Sequence, residues 1–86
     1  MEENVRYDIR VLEVKYLTGY KFWVKLSDNT ERIYNMEQDL DGEVYQPLKD
    51  INLFKKLRIK HGVVCWPNGA DIAPEHLDLV GLPIAI

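Results

Sequence analysis

Apolar and polar residues alternate along Lys21-Phe22-Trp23-Val24-Lys25-Leu26-Ser27, so Phe22, Val24 and Leu26 share one side of an extended chain. Lys21, Trp23 and Lys25 share the other, which the lysines mark as the wetter side. The preceding run, residues 9–17, is rich in β-branched and aromatic side chains and reads as a strand. Thr18-Gly19-Tyr20 breaks it, with Gly19 free to take a positive φ. Asp28-Asn29 reads as a two-residue turn, and residues 30–36 return as the third strand of a meander. Pro47 argues against a central strand in the irregular apolar segment 44–48.

Asp50 is placed to cap a short helix in which Ile51, Leu53, Phe54 and Leu57 form one apolar stripe and Asn52, Lys55 and Lys56 face water. Residues 57–60 and 63–66 then read as a tight hairpin closed by His61-Gly62. Pro67-Asn68-Gly69 is a turn, Pro74 suits the first position of a second helix with Glu75 in its first turn, and that helix should end near Gly81. The tail from Leu82 to Ile86 is apolar and could add to an exposed sheet edge, in its own or a neighbouring subunit. The expectation is one α+β domain over residues 1–86: a small antiparallel sheet (meander plus hairpin) with one or two short helices packed on one face.

A chain of 86 residues builds only a thin core, so Phe22, Trp23, Phe54 and Trp66 should carry much of it, each burying about 150–250 Å². The single cysteine, Cys65, excludes an intramolecular disulfide and favours a reducing, cytoplasmic home. The N-terminal residues are acidic and polar, unlike a signal peptide, and no apolar run approaches the ~20 residues of a membrane span.

The net charge of −3 hides a blocky layout. Residues 37–43 hold four acids and no base, residues 44–60 five bases against Asp50, and residues 61–86 three acids and no base. Such blocks suit a protein partner or self-association, including a homodimer. Lys55, Lys56, Arg58 and Lys60, with Lys49, form a basic patch, but an acidic chain with so short a helix is a poor nucleic-acid binder without a partner. A solvated face is the simpler reading of that patch.

Motifs for chemistry are incomplete. Glu37-x-Asp39-x-Asp41-Gly42 imitates half a calcium loop, yet Leu48 stands where the bidentate glutamate is required. Cys65, His61, His76 and Asp71 lack metal-site spacing; Cys65 reads as a small buried hydrophobe, His61 as a turn residue and His76 as a helix-surface one. No catalytic residue, metal or cofactor is expected. Asp71 reads first as an acceptor locking the turn through backbone N–H groups, and second as a binding residue beside Trp66 and Asn68. Trp23, Tyr16, Tyr20 and Tyr34 are an aromatic excess for so small a core, suited either to covering the sheet or to an interface.

Gly19-Tyr20, Ser27-Asp28-Asn29-Thr30, Asp39-Leu40, Val44-Tyr45-Gln46-Pro47-Leu48, Asp50, Leu53-Phe54 and Val64 through Glu75 follow in an order that resembles a bacterial family catalogued as domain of unknown function 2442. The resemblance covers about residues 9–80, leaving short extensions at both ends, and its most specific stretch is Trp66-Pro67-Asn68-Gly69-Ala70-Asp71. Asn29 replaces the usual glycine and must take the left-handed conformation itself. The resemblance implies a small α+β fold without known catalytic residues, and a gene context suggestive of toxin–antitoxin pairs. The expected function is a non-enzymatic protein-interaction or regulatory module, antitoxin-like in one form. The alternatives are a small-ligand or enzyme accessory domain using the Trp66-Asn68-Asp71 turn, and a nucleic-acid accessory domain using the lysines.

Overall fold

A computed structural model describes residues 8–84; the acidic N-terminus and the last two residues of the apolar tail lie outside the described residues. The meander forms as the pattern predicts, from β1 (Val11–Thr18), β2 (Lys21–Leu26) and β3 (Glu31–Asn35). Phe22 pairs with Tyr16 on one side and Tyr34 on the other, so all three side chains share the inner face. Trp23 pairs with Lys15 and Ile33, which puts these three on the outer face. Register shifts beside Leu12 and Leu17 leave both leucines exposed.

The β2–β3 connection differs from the expected two-residue turn. Leu26 N–H donates to the Thr30 carbonyl and Asn29 N–H to the Leu26 carbonyl, which makes a three-residue loop with Asn29 at φ 70°. A type I turn followed by one left-handed residue closes the hairpin, and the Asp28 carboxylate fixes it by accepting from Thr30 N–H.

The Gln46–Lys49 segment is a 3-10 turn with Pro47 at its start, and α1 (Ile51–Phe54) is a single turn capped by the Asp50 carboxylate on Asn52 N–H, 3.0 Å. β4 (Arg58–Lys60) and β5 (Val63–Cys65) form the hairpin across His61 (φ 55°) and Gly62 (φ 76°), a loop with both residues left-handed. One sheet was expected; two are present. β5 also pairs with β6 (Asp71–Ile72), giving a three-stranded sheet separate from the meander. The α2 helix (Pro74–Val80) follows, and β7 (Leu82–Pro83) adds to β3 of its own chain as the fourth strand of the first sheet.

α2 ends at Gly81, as predicted, though for a different reason. Gly81 has an extended backbone (φ −67°, ψ 152°), and a Cβ there would lie 2.5 Å from the Leu77 carbonyl oxygen and 3.0 Å from Arg32 Cβ. Space, and not left-handed geometry, requires the glycine. Arg32 explains the crowding: its guanidinium reaches the Asp78 carboxylate at 3.0 Å and docks α2 on β3.

The core sits where the two sheets and α1 meet. Trp66, directly after β5, packs 5.7 Å from the Phe54 ring and 6.2 Å from that of Phe22, centroid to centroid. Its indole N–H donates to the Phe54 carbonyl at 2.9 Å, so the largest buried side chain also satisfies the polar end of α1. Trp23, expected among the heavy core residues, is only half-buried on the outer face.

Candidate functional site

The Trp66–Asp71 turn is built for geometry. Trp66 N–H donates to the Ala70 carbonyl, Gly69 N–H to the Trp66 carbonyl, and Gly69 takes φ 92°. Asn68, not Asp71, locks this bend: its Oδ1 accepts from Ala70 N–H at 3.2 Å. The Asp71 side chain is exposed and accepts no backbone hydrogen bond among the described residues, which corrects its expected role. Its backbone carbonyl does the structural work, accepting from the Tyr45 hydroxyl at 2.8 Å. Trp66 is sealed in the core while Asn68 and Asp71 are exposed, so the three side chains do not share one surface. Cys65, expected to be buried, is half-buried, because the Val64 side chain takes the inward position on β5.

The expected aromatic group divides between faces because strand residues alternate. Trp23 stays on the outer face, where its indole N–H donates to Glu31 at 2.8 Å and Lys15 Nζ lies 5.4 Å from the ring centroid. Tyr20 turns back over α1, edge-on to Phe54 at 5.3 Å, and donates to the Lys49 carbonyl. Tyr34 is buried on the inner face at 3% exposure. The basic residues Lys55, Lys56, Arg58 and Lys60 are all exposed; Lys55 lies over the Tyr16 ring, while Lys49 pairs with Asp41 at 3.1 Å.

Two concavities stand out among the described residues. The larger, about 500 Å³, opens on the outer side of the four-stranded sheet. Leu17, Ile33, Val80 and Leu82 form its apolar wall, and Thr18, Lys21, Asn35 and Gln38 its polar end. Leu17, Val80 and Leu82 are 43%, 54% and 66% exposed, so this apolar surface is open to water.

The smaller, about 280 Å³, is lined by Asp39, Tyr45, Ile72, Ala73 and His76. Behind it the Tyr34 hydroxyl donates to the Asp39 carboxylate and lies 3.0 Å from His76 Nε2. With its one proton given to Asp39, the hydroxyl must accept from His76, which sets the neutral imidazole as the Nε2–H tautomer. Burial, then the hydrogen bond to Asp39 and its charge, hold the Tyr34 hydroxyl well above the ordinary tyrosine range. Tyr45 is raised too, by burial first and then by the charges of Asp71 and Asp39. His76 is exposed on the helix surface as predicted, but its bond to Tyr34 had no sequence signal. Among the described residues no group of His, Cys, Asp and Glu could hold a metal ion, and no helix is long and apolar enough to cross a membrane.

No curated protein and no solved structure matches the chain. One family does, over residues 11–77, from the first strand into the second helix and across the Trp66–Asp71 turn. That span is most of the 86 residues, and the chain belongs to the family described as Protein of unknown function (DUF2442).

Proposed function

We propose that this protein is a non-enzymatic protein-interaction module that docks a partner segment in the groove on the outer face of its four-stranded sheet. The observation that carries the reading is the open apolar wall of Leu17, Ile33, Val80 and Leu82. Burying it would remove apolar surface from water at about 25 cal/mol per Å². Charge selects the partner. Lys21, at the polar end, forms no ion pair among the described residues, so an apolar segment bordered by carboxylates fits best. Docking of this kind would serve a regulatory or antitoxin-like role by covering apolar surface of another small protein.

The test is capture from the native cell with tagged wild type and with a Leu17→Lys, Leu82→Lys double variant. Both side chains are exposed, so the variant should keep the wild-type melting temperature. A partner held by wild type and lost by the variant supports the reading. A partner held equally by both, or none at all, refutes it.

A further inference from the structure

The smaller concavity has a different chemistry from the groove, and its hydrogen-bonding inventory is unbalanced. Its side chains have given their donors away. The Tyr34 hydroxyl proton goes to Asp39, the Tyr45 hydroxyl proton to the Asp71 carbonyl, and the His76 Nε2 proton to Tyr34. Acceptors are left over. Asp39 uses one carboxylate oxygen on Tyr34 and has no further partner among the described residues, and His76 Nδ1 has none either. Asp39 forms no ion pair among the described residues, and the exposed Asp71 adds negative charge across Tyr45. Ile72 and Ala73 supply an apolar wall.

We infer that the Asp39–Tyr45–His76 concavity is a binding site for a primary alkylammonium group. Such a ligand brings three N–H donors and a positive charge to a wall that offers the remaining oxygen of the Asp39 carboxylate beside the His76 ring, while its short alkyl stem lies against Ile72 and Ala73. The concavity, about 280 Å³, is at the small end of ligand sites and suits a chain of a few carbons. Tyr34 is a positioning residue: it holds Asp39 and His76 to one point, although they come from the turn after β3 and from α2. The ammonium could be a free amine or the end of a lysine on another chain; the contacts are the same.

Amide NMR of the 15N-labelled protein at pH 8, titrated with n-butylammonium, should show saturable shifts at Tyr45, Ile72, Ala73 and His76. The neutral isostere n-butanol should leave them in place. Asp39→Asn, which keeps an oxygen for Tyr34 but loses the charge, should weaken butylammonium about tenfold or more. His76→Gln is the second variant and should also weaken it, with Asp39 intact. Nα-acetyl-lysine amide, which keeps the side-chain ammonium, identifies the source: binding at least as tight as butylammonium points to a protein lysine, and weaker binding or none to a free amine. Absence of saturable shifts at these residues, equal shifts with butanol, or wild-type affinity in both folded variants would overturn the assignment.

Discussion

Replacing Tyr34 by phenylalanine removes one oxygen and leaves the ring packed 5.9 Å from Phe22. The cost should therefore come from hydrogen bonding alone. The hydroxyl donates to a carboxylate and accepts from an imidazole. A bond to a charged group contributes about 1.5–3 kcal/mol and a neutral one about 1 kcal/mol. Part of this is recovered, because Asp39 is half-buried and His76 exposed, so water can reach both once the hydroxyl is gone. The expected loss at pH 7 is about 2 kcal/mol, a fall of about 2 M in the urea midpoint for a slope near 1 kcal/mol/M.

A second arm uses pH. The folded protein holds the Tyr34 proton well above the ordinary range, by burial first and then by Asp39. Below pH ~10 folded and unfolded states both keep the proton, so the stabilisation is fully present. Above it the unfolded chain releases the proton while the folded one retains it, and stability falls by about 1.4 kcal/mol per pH unit. Tyr34→Phe lacks this proton, so its deficit relative to wild type should shrink to under ~1 kcal/mol by pH 11. Urea unfolding followed by tryptophan fluorescence at pH 7, 10 and 11 measures both arms. An unchanged midpoint at pH 7, or two pH curves that stay parallel, would refute the reasoning.

Gly62→Ala should cost about 2 kcal/mol, seen as a lower thermal midpoint, because φ there is +76° and a Cβ would meet Arg10 Cδ at 2.6 Å and Cβ at 2.9 Å. Asp71→Ala should stay within about 0.5 kcal/mol of wild type in urea, since Asn68 makes the turn's side-chain bond; a larger loss would restore Asp71 as a structural acceptor.

Features set by a few neighbouring residues were legible before the fold. Asp50 capping α1, His61-Gly62 closing a hairpin, Asn29 in the left-handed region and Pro74 opening α2 each follow from the backbone angles or caps those residues favour. The alternation in β2 likewise foretold which face Phe22, Val24 and Leu26 would bury. One local choice went the other way: Asn68 and Asp71 flank the same bend, and only the turn geometry decides whose oxygen meets the Ala70 N–H.

Alternation by itself says that Tyr34 and Ile33 lie on opposite faces, but not which face is buried; that required β3 to be registered against β2 and closed by β7. The second sheet gains its third strand because the β5–β6 loop folds Asp71–Ile72 back on β5, a pairing too short to show in a pattern of apolar residues. The two concavities are further from the sequence still. Tyr34 is 5 residues from Asp39 but 42 from His76, and Ile33 is far along the chain from Val80 and Leu82. The amino-acid order determined the bends and the buried side of the first hairpins, because those are short-range choices of angle and solvation. Tertiary packing decided where an acid, a phenol and an imidazole converge, because nothing short of the docked α2 helix brings them within hydrogen-bonding distance.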